Sequence, residues 1–181
     1  NSRYSLFNTG ELQLRGGEEL MIEKRNSERL VLIYRSPRDA EVGGYYGQLE
    51  LAVIDENEEE IETQLIDLEI LIGEDWEYRV EVGDLDYQEE EEVQTFRADL
   101  KNLSSVHIIP QVALNLIDQE GVTVETLNLR LEDDKTQLFP EETAVMSHRT
   151  TEIAAGTYTA EIIISSQNQE IDRFERTIII E

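Results

Sequence analysis

Residues 36–55, SPRDAEVGGYYGQLELAVID, contain the pattern on which the prediction of the fold depends. A proline and acidic residues lead into Gly43-Gly44, and apolar and polar side chains then alternate. Because successive side chains of a strand point to opposite faces, this alternation predicts a β-strand. Tyr45, Leu49, Leu51 and Val53 are expected on one face of it, and Gln48 and Glu50 on the other.

The same pattern returns near the C-terminus, where Gly156-Thr157-Tyr158 opens a second alternating segment. A polar turn follows in both copies, DENEEE at residues 55–60 and SSQNQE at 165–170. Residues 56–62 have the propensity for one helical turn, but a hairpin loop is simpler because strands flank them. The partner strands are expected at residues 65–72 and 174–180. We therefore predict two modules, residues 1–75 and 76–181, separated near the polar break at residues 73–75.

Short alternating segments occur along the whole chain, and none keeps the helical spacing of apolar residues for three turns. Many short strands separated by turns are typical of β-sandwiches. Further strands are expected at residues 4–7, 12–14, 29–34, 76–82, 96–100, 112–116, 122–131 and 143–149, whereas the acidic residues 84–92 contain no predicted strand. The core of the second module is expected to contain Phe96, Leu100, Leu114, Leu116, Tyr158, Ile162 and Ile164.

Residues 37–45, PRDAEVGGY, resemble the P-x-x-A-x-x-G-x-Y stretch of immunoglobulin-like modules in secreted bacterial and archaeal proteins. Residues 100–104, LKNLS, followed by residues 112–121, are similar to the N-x-[SG], strand and D-x-x-G region of these modules. The same features occur in two-domain periplasmic pilus chaperones, whose basic anchoring residues have no clear match here. The resemblance covers most of residues 96–181 and less of the first half. It implies an all-β protein with two tandem immunoglobulin-like β-sandwich domains.

The chain is strongly acidic, with 41 acidic and 15 basic residues and a net charge of −26. This charge repels nucleic acid and anionic membranes, so neither is expected as a partner. The acidity has three open explanations: a generic acidic surface, adaptation to high salt that screens carboxylate repulsion, and collection of calcium. No apolar run approaches the roughly 18 residues that span a bilayer, so membrane insertion is not expected. The absence of an initiator Met and of a signal peptide fits a mature secreted product or a trimmed chain.

The candidate site residues have simpler structural interpretations. His107 and His148 lie in no pattern typical of a metal or catalytic site, and no G-x-S-x-G motif is present. Asn102-Leu103-Ser104 matches the N-glycosylation sequon, where a chance match is the simpler interpretation. Tyr45 and Tyr158 are either binding aromatics or structural residues, and their recurrence at strand starts favours the structural role. We therefore predict no catalytic, cofactor-binding or metal-binding residue.

Carboxylates are concentrated in three short clusters that supply the oxygen ligands preferred by calcium. None of the clusters fits an EF-hand loop, and a solvated surface is the simpler interpretation. We expect no cofactor, with calcium as the alternative. The clusters are Asp84 with Asp86, residues 89–92, and Asp133 with Asp134.

The two copies of the repeated element differ in what precedes them. Gly156 comes 80 residues after Trp76, whereas Gly43 comes 42 residues after Asn1. About two strands of the second module therefore have no counterpart in the first. Three explanations remain open: the chain is trimmed, the first module is a naturally small sandwich, or a partner donates a strand.

These features predict a non-enzymatic extracellular or cell-surface protein that acts by binding or assembly. Its partners would be another protein or copies of itself, and strand exchange between copies would produce filaments. The alternative is a periplasmic chaperone for pilus or surface subunits. An enzyme is a third class. The sequence contains neither a nucleophile motif nor a phosphate-binding motif that would support it.

Overall fold

The computed structural model describes residues 12–15, 21–22, 29–55, 57, 59–133, 135–151 and 153–180. All regular secondary structure in these residues is β-strand, as the alternating patterns predict. The chain divides into two compact units, Asn1–Asp75 and Trp76–Glu181. In the described part of the chain, no helix has the length and apolarity needed to cross a membrane.

In the first unit, the described strands form two antiparallel pairs. β1 (Leu12–Arg15) pairs with β2 (Val31–Tyr34), and β3 (Gly43–Ile54) pairs with β4 (Glu60–Ile72). The predicted hairpin is thus confirmed, and the helical alternative is wrong because Glu60 already belongs to β4. Asp55 closes the turn, since its carboxylate accepts hydrogen bonds from the backbone N–H groups of Glu59 (2.9 Å) and Asn57 (2.8 Å). These bonds stabilise the charged form and lower the pKa of Asp55.

The second unit contains, among its described residues, one continuous antiparallel sheet of eight strands. Its neighbours follow the order β12-β11-β8-β9-β10-β7-β5, and β6 also pairs with β7. β9 connects the two halves of this order, pairing along most of its length with β8 but only through Arg130 and Leu131 with β10. The strands are β5 (Val80–Val82), β6 (Asp86–Glu90), β7 (Val93–Asn102), β8 (Pro110–Ile117), β9 (Thr123–Leu131), β10 (Thr143–Thr150), β11 (Gly156–Ser166) and β12 (Gln169–Ile180).

Apolar side chains from both halves of this sheet form the core of the second unit. Buried and more exposed residues alternate along β7 and β8, which places one face of each strand in the interior. Tyr158 was also predicted to be buried, but it is only partly buried and packs against the edge of the core. The predicted core residues that are fully buried are Phe96, Leu100, Leu114, Leu116, Ile162 and Ile164.

Asn102, at the end of β7, is a buried polar residue whose side chain joins three segments of backbone. Its Nδ2 donates hydrogen bonds to the carbonyl oxygens of Val106 (2.9 Å) and Leu138 (2.8 Å). Its Oδ1 accepts a hydrogen bond from the N–H of Ser104 (2.8 Å). A fully buried amide with these contacts has no room for a glycan in the folded protein. Asn102 therefore has a structural role in the folded second unit.

The acidic residues 84–92 contain a strand that the sequence did not predict. β6 pairs with β7 through a two-residue turn formed by Glu91 and Glu92, whose φ angles are 52° and 69°. Left-handed backbone at both central residues matches the right-handed twist of a tight hairpin. The shape of this turn therefore brings an acidic segment with little alternation into the sheet.

Three other expected elements have different boundaries. The strand expected at residues 76–82 is limited to β5, because the backbone just before it bonds to a loop: the N–H of Arg79 donates to Ser104 Oγ (3.0 Å). The second polar turn consists only of Gln167 and Asn168, so β12 begins five residues earlier than expected. β4 also begins five residues earlier than expected, at Glu60. The strand expected at residues 4–7 lies outside the described residues.

Candidate functional site

β9 and β10 diverge after a short contact and leave a groove between them. The two strands pair only at Met146 with Leu131 and at Ser147 with Arg130, and β10 continues to Thr150. Residues of β6 and β7 also line the groove, which has a volume of about 1600 Å³. Its walls therefore include the edges of two strands. Such edges offer backbone donors and acceptors to an added strand.

Three arginines line this groove on the outward face of the sheet. Arg97 of β7 and Arg130 of β9 are both register partners of Ser147, which lies between them on β10. Arg149 follows Ser147 by two residues and therefore lies on the same face. Residues 76–181 contain only eight basic residues, and three of them line this groove together with four carboxylates.

Carboxylates also line the groove, and one of them neutralises an arginine. Glu132 Oε2 forms a salt bridge with Arg97 at 2.9 Å. Arg130 and Arg149 form no ion pair within the described part of the chain. These two guanidinium groups can donate hydrogen bonds to a ligand, but they share the groove with three carboxylates besides Glu132. The carboxylates at the groove belong to Glu90, Glu91, Glu132 and Asp133.

The two histidines have different neighbours. His107 lies between β7 and β8, with its ring centroid 6.4 Å from that of Phe139. His148 lies in β10 beside the groove, where Nδ1 is 3.0 Å from the carbonyl oxygen of Asn128. This contact bridges the diverging strands, so His148 helps to hold the end of the groove together.

The carboxylate clusters lie on exposed surface. Asp84 and Asp86 precede and begin β6, and residues 89–92 form the end of β6 and its turn. Asp133 is exposed after β9, while Asp134 lies outside the described residues. Among the residues that the structure describes, no group of three or more His, Asp or Glu side chains is arranged to hold a metal ion.

Tyr45 and Tyr158 make equivalent hydrogen bonds in the two units. The hydroxyl of Tyr45 donates to the carbonyl oxygen of Glu41 (3.1 Å), and that of Tyr158 donates to Ala154 (2.8 Å). Each acceptor lies four residues upstream of its tyrosine. A tyrosine near a strand start that bonds to upstream backbone is the arrangement called a tyrosine corner. These bonds give both tyrosines a structural role.

Sequence reasoning did not identify the arginine groove. Arg97, Arg130 and Arg149 lie on three strands that only the sheet registers bring together. The available signal was weak: each arginine occupies an outward position of an alternating strand. Such positions carry charged residues in most proteins, so they do not indicate a site.

No protein-family model matches the chain, and no curated protein sequence matches it.

Proposed function

We propose that this chain is a non-enzymatic extracellular or cell-surface protein that acts by binding or assembly. The observation that carries the proposal is the groove between β9 and β10, with strand edges as walls and arginines on its outward face. Its volume of about 1600 Å³ exceeds the roughly 300–1,000 Å³ of small-molecule pockets. A groove of this size and chemistry suits an extended protein segment, whose backbone pairs with a strand edge.

We also propose that the two units are tandem immunoglobulin-like modules. In the second unit, β5, β7 and β10 form one antiparallel group and β9, β8, β11 and β12 form the other. This grouping supports the two sheets of an immunoglobulin-like sandwich, and the Tyr158 bond supports its tyrosine corner. For the shorter first unit, support comes from the equivalent Tyr45 bond and from the hairpin of β3 and β4.

The extracellular location is supported by the resemblance of residues 37–45 and 100–121 to modules of secreted proteins. The net charge of −26 supports operation in high salt, where ions screen carboxylate repulsion. Binding or assembly on a surface would use the modules as spacers and their grooves and edges as contacts.

Protease accessibility in producing cells tests this proposal. We expect external protease to cleave the tagged chain in intact cells while a cytoplasmic marker stays whole. Cleavage only after permeabilisation of an outer membrane would favour the periplasmic chaperone instead. Protection until complete lysis would refute an extracellular or surface function.

A further inference from the structure

β12 is the last strand in the sheet of the second unit. One of its edges pairs with β11, and at its other edge the strand order of the described residues ends. Such an edge presents backbone N–H and C=O groups to which another strand can add. The side chains of Arg173, Glu175 and Arg176 are exposed along it. The middle of β12 therefore lies at the surface of the unit.

Two hydrogen bonds show which residues of β12 present the free edge. The N–H of Arg173 donates to Oδ1 of Asp172 at 2.8 Å, and the carbonyl oxygen of Glu175 accepts from Nη1 of Arg176 at 2.9 Å. Both bonds join adjacent residues at the surface and belong to no strand pairing. Because the backbone groups of alternate residues point to the same side of a strand, Arg173 and Glu175 face away from β11.

Residues 172–176, here called the β12 centre, read DRFER and are complementary in charge to their own reverse. In an antiparallel pair of two copies with Phe174 opposite itself, residues equally far from Phe174 face each other. Asp172 then faces Arg176, Arg173 faces Glu175, and the twofold symmetry repeats both pairs. Each charged residue of the β12 centre thus meets a residue of opposite charge.

No other register of the β12 centre has this property. A twofold axis at Asp172, Arg173, Glu175 or Arg176 places that residue opposite its own copy, and like charges directly opposite each other destabilise a sheet. An axis between two residues would set an inward side chain opposite an outward one, which a continuous sheet does not allow. The sequence therefore selects the register with Phe174 on the axis.

Phe174 contributes an apolar contact on that axis. It is partly buried, packs against the core of its own unit and is the register partner of Ile162 in β11. Opposite residues that exchange no backbone bonds have Cα atoms about 4.5 Å apart, so their side chains approach closely. Two phenylalanines facing each other across a pair of strands stabilise the pairing.

The charged pairs of the β12 centre differ in how free their members are. Arg173 already forms salt bridges with Glu161 and Glu170 of its own unit. Asp172 and Arg176 form no ion pair within the described residues. The selectivity of the contact therefore depends on Asp172 and Arg176, which carry equal and opposite charge.

We propose that two copies of the chain associate through their β12 strands, antiparallel and with Phe174 on the twofold axis. The backbone groups of Arg173 and Glu175 exchange their side-chain bonds for bonds to the backbone of the other copy. Asp172 and Arg176, released from those bonds, pair with each other across the contact. This inference rests on the proposed assembly function and names one of its contacts. The contact is isologous, so it closes at two copies.

Sedimentation velocity of the purified chain over a wide range of concentration tests the association. At about 0.15 M salt, a Debye length of about 8 Å screens long-range repulsion between the acidic copies. We expect a monomer–dimer equilibrium, with slower hydrogen exchange at the amides of Arg173 and Glu175 as the dimer forms. A chain that stays monomeric up to about 1 mM would overturn the proposal, because the side chains would then only cap the edge. A dimer in which both amides exchange as in the monomer would also overturn it.

Charge reversal tests the register. D172R sets arginine opposite arginine at both ends of the β12 centre, and R176D sets aspartate opposite aspartate. Each variant alone should lose at least about tenfold in association constant. E120R and R38D make the same changes in charge at exposed residues outside β12 and should associate like the unchanged chain. Equal association of a β12 variant and its control would refute the contact.

A mixture of D172R and R176D tests the pairing itself. In a mixed dimer, the two arginines of one copy face the two aspartates of the other, so association should recover. The double variant D172R/R176D should also dimerise on its own, because it only exchanges the two charges. Thermal unfolding checks the fold of each variant, and a mixture of folded variants that stays monomeric would refute the pairing. The protease test of location is independent, so failure of this contact leaves the surface assignment standing.

Discussion

Asn102→Asp tests whether the buried amide at the end of β7 organises the second unit. In the native structure, Nδ2 donates to the carbonyl oxygens of Val106 and Leu138, while Oδ1 accepts from the Ser104 N–H. An ionised carboxylate keeps the acceptor but turns its second oxygen toward two carbonyl oxygens. The substitution therefore removes two hydrogen bonds with almost no change in side-chain volume.

The expected cost is large for a single substitution. Each lost bond contributes about 0.5–1.5 kcal/mol, and a buried acceptor without a partner costs about 1–3 kcal/mol. We expect the free energy of unfolding at neutral pH to fall by about 3–5 kcal/mol. That is a substantial part of the roughly 5–15 kcal/mol that stabilises a typical domain.

The cost of Asn102→Asp should also depend on pH. Burial and the facing carbonyl oxygens favour the neutral acid, so the pKa of the introduced carboxyl should lie above its unfolded value of about 3.9. The introduced carboxylate therefore binds a proton more tightly in the folded state than in the unfolded state. The destabilisation is therefore smallest below the unfolded pKa and grows by up to about 1.4 kcal/mol per pH unit until the folded pKa is reached.

Urea unfolding followed by circular dichroism at several pH values measures both effects. Asn128→Asp is the matched control, because Asn128 is exposed on β9 and its side chain makes no hydrogen bond within the described residues. The control should change stability by less than about 0.5 kcal/mol. Equal stability of the two variants, or a cost for Asn102→Asp that stays constant with pH, would refute the reasoning.

Three further predictions concern the surface of the protein. A hydrogen bond from Asn115, and then Arg173, lowers the pKa of Glu161 below its ordinary 4.5, so its charge stabilises the fold above that pH. Glu161→Gln should cost about 0.5–1 kcal/mol at neutral pH, and in urea titrations the difference should disappear as the pH falls through the lowered pKa of Glu161. Tyr158→Phe should lower stability by about 1 kcal/mol in thermal unfolding; no change would mean that the bond to Ala154 contributes nothing. The unfolding midpoint should rise from dilute buffer to molar NaCl; the same rise from micromolar calcium alone would instead assign the carboxylates to a metal site.

Strands with regular alternation could be predicted because the sequence pattern and the burial pattern have the same cause. β7 is the example: Phe96 and Leu100 alternate with Arg97 and Asp99, and only the first pair is buried. β6 could not be predicted in this way, because its sequence DYQEE has a single aromatic residue and no alternation. The pairing of β6 depends on the left-handed backbone of the turn. Glycine in a sequence indicates such a conformation, whereas the two glutamates of this turn do not.

The polar residues inside the second unit were partly visible in the sequence. Gln94 and Asn102 lie at the even positions of β7 that also point Phe96 and Leu100 inward, and all four are buried. A polar residue at an inward position must find hydrogen-bond partners. Its partners could not be predicted: Gln94 exchanges two hydrogen bonds with the backbone of Ile153, which lies 59 residues later.

The distribution of charge argues that salt adaptation alone does not explain this surface. An adaptation that only holds water and ions can place carboxylates anywhere, whereas residues 39–75 have 13 acidic and no basic residues. In the second unit, Arg97, Lys101 and Arg173 form salt bridges, as a large excess of carboxylates favours. Arg130 and Arg149, which share one groove, form none within the described residues, and neither do Arg79 and Arg176 outside it. The lack of basic residues in residues 39–75, beside the paired lysines and arginines of the second unit, is therefore the uneven feature that a uniform salt adaptation leaves unexplained.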